Sequence, residues 1–141
     1  MKRLPRLLFL FVLSTPILLG AYWWWLNNDP APEMTLTAAE LFAKYEADEA
    51  TGDSLFMGKV LTVSGVIAEI GNDQQDRMTL LLREPDDFGG VMVTLTEAPS
   101  FAVAAGQAVE VTGECNGFLF DVVLGKGRGV QKVSGGDVEN Q

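Results

Sequence analysis

Alternation of apolar and polar side chains marks most of the second half of the sequence. From Arg77 to Arg83, Met78, Leu80 and Leu82 fall on one side and Arg77, Thr79, Leu81 and Arg83 on the other. That two-residue period predicts a half-buried strand. Val91, Val93 and Leu95 repeat the pattern against Met92 and Thr94, and Val109, Val111, Gly113 and Cys115 against Glu110, Thr112 and Glu114. Upstream, residues 59–70 read as one long strand. Leu61, Val63 and Ile67 share one parity and Val66, Ala68 and Ile70 the other, so a bulge or sharp bend is predicted beside Gly65. Turns are expected at Gly71-Asn72-Asp73, around Pro85 and Gly89-Gly90, and at Asn116-Gly117. A two-residue turn at Asn116-Gly117 pairs Cys115 with Phe118. Phe118, Phe120, Val122 and Leu124 then continue the inward face as core. Residues 97–105 are expected to hold a short helical turn broken at Pro99. Residues 125–129 read as a loop or bulge, and Val130 to Val133 as an extension of the last strand.

Ahead of the strands the period changes. Thr37 and Glu40 form a capping box, and Leu36 can staple onto Leu41. Leu41, Phe42 and Tyr45 then make one apolar stripe, and Gly52 is the expected stop, so a helix is predicted over 38–51. One helix followed by five strands, the first long and bent, predicts a mainly β fold. The expected architecture is a five-stranded OB-fold barrel over 37–133 with an added N-terminal α-helix, preceded by one transmembrane helix. A two-layer α+β sheet without closure is the alternative. Residues 27–36 read as a linker and 134–141 as a disordered polar tail.

Leu7 to Leu26 carries no charge (LLFLFVLSTPILLGAYWWWL). Twenty residues at a rise of ~1.5 Å cover about 30 Å, the thickness of a bilayer's hydrocarbon core. Tyr22, Trp23, Trp24 and Trp25 end the run where an interfacial aromatic belt belongs, and Lys2, Arg3 and Arg6 precede it. Residues 7–26 are thus expected to be a signal anchor, with 1–6 a cytoplasmic basic segment and the body on the far side. A cleaved secretory signal is the rival reading. Ala21 stands where a lipoprotein would carry its acylated Cys, which excludes lipidation there.

Charge and composition narrow the chemistry. Ten basic residues less Lys2, Arg3 and Arg6 leave seven against nineteen acids, so the body carries a net charge of −12. Such a body repels phosphate backbones, and nucleic acid is the disfavoured partner. The chain contains no His, which removes the usual triads and zinc sites. Cys115 is alone and falls on an inward strand position, where it reads as a small buried hydrophobe. Glu46, Asp48, Glu49 and Asp53, and the pairs Asp73/Asp76 and Asp86/Asp87, have no calcium-loop spacing and read as solvated surface. Lys126 and Arg128 lie among glycines but match no phosphate loop, so a solvated turn is expected. No catalytic residue, metal ligand or cofactor is assigned. OB barrels bind through the exposed face of their second and third strands. Here that face would be Arg77, Thr79, Leu81, Arg83, Met92 and Thr94. It holds no aromatic platform for bases. Half apolar and flanked by charge, it suits a protein, a peptide or a glycan; the plainer reading is an ordinary solvated sheet face.

Several segments resemble, in order and spacing, the tRNA_anti-like family of bacterial exported OB-fold proteins. They are Leu41 and Tyr45, Asp48-Glu49, Phe56-Met57-Gly58-Lys59, Val63-Ser64-Gly65-Val66, Gly106-Gln107-Ala108-Val109, Val111 through Gly117, and Asp121-Val122-Val123-Leu124. The resemblance covers 37–133 and implies the OB barrel and an envelope location, but no biochemical activity. Two positions depart from the family: Asp48 stands where Asn is frequent, and no second Cys follows near Gly125 or Lys126. Any disulfide the resemblance implies therefore has no intrachain partner for Cys115. The expected function is a non-catalytic binding module anchored in a bacterial inner membrane, with its C-terminal domain periplasmic or extracytoplasmic, docking an envelope protein, peptide or glycan. The alternatives are a single-stranded nucleic-acid-binding OB domain and a carboxylate-dependent hydrolase.

Overall fold

The structure, a computed structural model, describes residues 6–28 and 30–133 of the 141. The expected tail 134–141 and all but Arg6 of the basic segment 1–6 lie outside the described residues. The chain divides into two compact units between Ala31 and Pro32. The first contains α1 (Arg6–Asn27), an unbroken helix with Pro16 inside it. From Pro16 onward its side chains, including Trp23, Trp24 and Trp25, are exposed. A helix therefore occupies the expected position. Among the described residues, however, no helix is long and apolar enough to cross a membrane.

The second unit runs β1 (Met34–Thr37), α2 (Ala38–Ala47), α3 (Glu49–Phe56), β2 (Val60–Asn72), β3 (Met78–Leu82), β4 (Val91–Leu95), β5 (Ala108–Phe118) and β6 (Val122–Lys132). Closure depends on β2. Its first half, Val60–Val66, pairs antiparallel with β5, and its second half, Ile67–Asn72, pairs antiparallel with β3. β3 then pairs with β4, β4 runs parallel to β6, and β6 returns antiparallel to β5. The result is a closed five-stranded barrel of the OB type, not an open two-layer sheet. Leu61, Val63, Ile67, Leu80, Leu82, Val91, Val93, Val109, Val111 and Leu124 fill it, almost wholly buried. α2 adds Leu41, Phe42 and Tyr45 to the same core.

The bend in β2 differs from the sequence reading. Leu61, Val63 and Ile67 stay inward past Gly65. The parity changes at Ala68, which is bulged between Ile67↔Leu82 and Glu69↔Leu81. Gly65 has another use: a Cβ there would come 3.0 Å from the Ala38 Cβ and 3.2 Å from the Leu82 Cβ. Its bareness lets α2 approach the barrel wall.

Four further elements depart from expectation. Met34–Thr37, read as mostly linker, forms a parallel strand beside β2. The predicted 38–51 helix is two helices joined at Asp48, whose extended backbone ends α2 and whose carboxylate caps α3. The capping box of Thr37 and Glu40 is present. Gly52 does not stop a helix but lies inside α3, where a Cβ would fall 2.5 Å from the Tyr45 ring. Asn116-Gly117 is not the hairpin turn. The ladder passes from Cys115↔Leu124 to Gly117↔Val123, leaving Asn116 bulged, and the chain reverses at Leu119–Asp121. Gly117 takes the positive φ of 116° that this bulge demands. Residues 97–105 contain no helix; Phe101 and Val103 pack alternately onto the core, as extended chain does.

Gly65→Val should overpack the α2–barrel contact, at a cost of about 1–3 kcal/mol. For a unit of this size each kcal/mol lowers Tm by roughly 4–8 °C. A thermal melt unchanged by the substitution would refute the close approach of Ala38 and Leu82.

Candidate binding face

Strand register sets the outer face of β3 and β4. Thr79 lies directly opposite Thr94, and Leu81 opposite Met92. β2 and β6 extend the second row, which reads Glu69, Leu81, Met92, Val123. Direct cross-strand neighbours of this kind are close enough to act as one surface. Leu81 points away from the core yet is only 5% exposed. With Glu69, Ile70, Gly71, Thr79 and Met92 it lines a shallow depression of about 80 Å³. That is well below the ~300–1,000 Å³ of a small-molecule pocket, so it can admit a protruding side chain but not enclose a ligand.

The two arginines flank β3 at opposite ends, at the margins of this strip. Arg77 is held by Asp73. Its Nη2 lies 2.7 Å and its Nε 2.8 Å from Asp73 Oδ2, and its backbone N–H donates to Asp73 Oδ1 at 2.9 Å. Gln75 N–H donates to the same oxygen. These bonds, the Arg77 amide first, hold the Asp73 carboxyl below its usual range. Arg77 thus closes the β2–β3 turn. Arg83 continues the β3 ladder through its amide, which donates to the Val66 carbonyl at 3.0 Å.

Alternation did not reveal the most exposed apolar residues of the second unit. Phe120, read as core, is 71% exposed; Leu119 is 88% and Phe88 85% exposed. Phe118 does join the inner side, stacked on Tyr45 at 5.5 Å between ring centres. The shift of the reversal from Asn116-Gly117 to Leu119–Asp121 takes Phe120 out of the barrel. Three consecutive apolar residues, 118–120, were the available signal, because a two-residue period cannot bury all three. The loops bearing Phe88 and Phe120 are joined: Gly90 N–H donates to Asp121 Oδ1 at 2.8 Å, and Val122 N–H donates to the Gly90 carbonyl at 2.9 Å. Glu84, Asp86, Asp87 and Asp121 share these loops, giving an apolar tip with acidic neighbours.

Lys126, Cys115 and Asp48 have structural partners, whereas Asp53, read as solvated surface, turns one carboxylate oxygen into the interior with no hydrogen-bond partner. Lys126 Nζ lies 3.2 Å from Glu114 Oε2, and the 125–129 segment is a bulged part of β6, not an open loop. Cys115 is buried, 3.4 Å from the Tyr45 hydroxyl. Burial first, then Cys115, drives the Tyr45 phenol far above its ordinary pKa. Among the described residues no three His, Cys, Asp or Glu side chains come together to hold a metal ion. Asp48 accepts from the Thr51 hydroxyl and from the Thr51 and Ala50 amides, which lowers its pKa, the hydroxyl bond most.

Asp48 and Asp73 both have depressed folded-state values. Their stabilisation is therefore present above the unfolded carboxylate value of about 3.9 and is lost as pH falls through the folded-state values. Melting curves from pH 7 to pH 2.5 should show Tm falling below about pH 4. The Asp48→Ala/Asp73→Ala double variant should melt lower at pH 7 and lose less on acidification. An identical acid slope in the variant would contradict the assigned bonds.

No curated protein matches the sequence. A crystal structure of a proposed nucleic acid-binding lipoprotein from Klebsiella pneumoniae is similar in fold, with a TM-score of 0.54 at 17% identity, covering 70% of this chain and 91% of that one. The tRNA_anti-like family model matches residues 26–128, from the end of α1 well into β6. With the OB barrel in place and most of its length matched, the chain belongs to the tRNA_anti-like family.

Proposed function

We propose that the protein is a non-catalytic binding module of the bacterial envelope, tethered to the inner membrane by residues 7–26 and exposing its barrel on the far side. It docks a protein, peptide or glycan on the outer face of β3 and β4 through Thr79, Leu81, Arg83, Met92 and Thr94. The observation that carries this reading is the Leu81–Met92 strip with its side-chain-sized depression. Every barrel strand is paired on both sides, so β3 and β4 offer no free edge for an added strand. Recognition on this face then falls to side chains. Thr79 and Thr94 offer hydroxyls beside the apolar pair, a mixture suited to a partner that places one apolar group and several polar ones. Arg77 is left out of the binding set because Asp73 occupies it. The uncharged run at 7–26, with basic residues before it and tryptophans at its end, supports the tether. The envelope location agrees with the family resemblance and with a structural neighbour that is a lipoprotein.

A second reading, single-stranded nucleic-acid binding, is favoured by the neighbour's name and by exposed Phe120 on the β5–β6 loop, one of the loops through which OB barrels bind, with exposed Phe88 on the adjoining β3–β4 loop. Charge weighs against it. Binding strands requires cations that displace counterions. Here Glu84, Asp86, Asp87 and Asp121 share the aromatic loops, and Arg77 and Lys126 are paired with carboxylates.

A photoreactive residue at Met92 should give ultraviolet-dependent adducts in intact cells, while the same residue at exposed Gln131 should not. Equal yields at both positions would remove the β3–β4 face. A labelled single strand should show no anisotropy change at low salt up to about 100 µM protein, the weak end of ordinary non-specific affinity. Micromolar binding with a steep salt dependence would establish the second reading instead.

A further inference from the structure

We propose that the Leu119–Phe120 tip of the β5–β6 hairpin rests in the interfacial layer of a zwitterionic lipid bilayer, with Met57 and Phe88 beside it. This rests on the tether reading above and adds an orientation to it.

The apolar exposure of the second unit is unevenly distributed. Among its described residues the exposed large hydrophobics are Leu55, Met57, Ile70, Phe88, Leu119 and Phe120. All but Ile70 gather at one end of the barrel. Met57 reaches Gly117, where an added Cβ would lie 2.9 Å from the Met57 Cε, and Leu55 is in the α3 turn just before it. Gly90 and Asp121 join the Phe88 loop to the hairpin tip at 2.8 Å. No core strand needs these side chains outside, and no other described element of the second unit covers them.

The chain enters the unit at that same end. Glu33 N–H donates to the Val60 carbonyl at 2.8 Å, placing the entry beside the start of β2. Gly58 N–H donates to the Cys115 carbonyl, and Cys115 N–H to the Lys59 carbonyl. From Cys115, β5 continues past the start of β2 to Phe118 and the tip. Between Asn27 and Glu33 lie only residues 28–32, two of them prolines. At ~3.3–3.6 Å per residue, five residues and their flanking bonds reach about 20 Å at most. Any bilayer holding residues 7–26 therefore lies within reach of the entry end, whichever direction the linker takes. A tethered group acts at an effective concentration on the order of millimolar, so partition of one Leu and one Phe suffices for contact. Charge selects the lipid. Glu84, Asp86 and Asp87 flank Phe88, and the body carries −12, so anionic headgroups oppose the contact that zwitterionic ones permit.

The test uses the full chain with Cys115→Ala, reconstituted in phosphatidylcholine vesicles and spin-labelled singly at positions 24, 75 and 119. The readout is oxygen against nickel-chelate accessibility. Positions 24 and 119 should favour oxygen several-fold over position 75, in the β2–β3 turn at the far end of β3. Phe120→Ser should return position 119 towards the value at 75, and so should replacing half the lipid by phosphatidylglycerol. If 24 reads as lipid but 119 matches 75, the tether stands and the bilayer contact is wrong; the acidic-flanked tip then belongs to a basic protein partner. If 24 itself reads as water, the tether reading fails and takes this proposal with it.

Discussion

The barrel depends on one strand pairing with two different neighbours. β2 gives Val60–Val66 to β5 and Ile67–Asn72 to β3, so its backbone must turn from one partner to the other within a residue or two. The bulge at Ala68 supplies the turn, and Thr62 and Thr112 join their hydroxyls at 3.0 Å across the closing pair. Gly65 sits just before the bulge and admits Ala38 of α2. Were β2 to run straight, β3 and β4 would form an open sheet with free edges, and the inward rows of Leu80, Leu82, Val91 and Val93 would face water. Burial of those rows is the main favourable term, and it becomes available only when the strand bends.

Closure also shapes what the surface can do. With ladder hydrogen bonds used on both sides of each barrel strand, a partner meets side chains on the β3–β4 face or at the loop tips. The two regions differ in chemistry. The face offers paired threonines and a Leu–Met strip with a shallow depression, while the tip offers Leu119, Phe120 and Phe88 among carboxylates. One surface suits a shaped partner and the other an apolar layer without strong negative charge.

The legible parts of this fold are those whose signals are local. The capping box fixed the start of α2 because Thr37 and Glu40 satisfy each other's neighbouring amides within four residues. β3 and β4 followed from alternation alone, and of the proposed face Thr79 and Thr94, and Leu81 and Met92, proved to be direct neighbours. Where tertiary contact decides, the local signal misled. Gly52 resembled a helix stop, but its function is to leave room for the Tyr45 ring. Asn116-Gly117 has the composition of a tight turn, and the same positive φ serves equally in a bulge; the pairing of Gly117 with Val123 settles which. β1 has four residues, and its parallel partner lies more than twenty positions away, so nothing in Met34–Thr37 announces it. Arg77 was read as a binding residue because strand parity places it outward, yet parity is blind to the Asp73 carboxylate across the turn.

The most direct test of closure is a set of inter-strand contacts and amide exchange rates measured by nuclear magnetic resonance. A closed barrel predicts cross-strand contacts from β2 to both partners, Val63 with Val111 and Ile70 with Leu80, and parallel contacts between Val93 and Leu124. It also predicts that β2–β5 amides exchange as slowly as those of β3, opening only with global unfolding. Absence of the β2–β5 contacts, or fast exchange along that ladder while β3 stays protected, would contradict it.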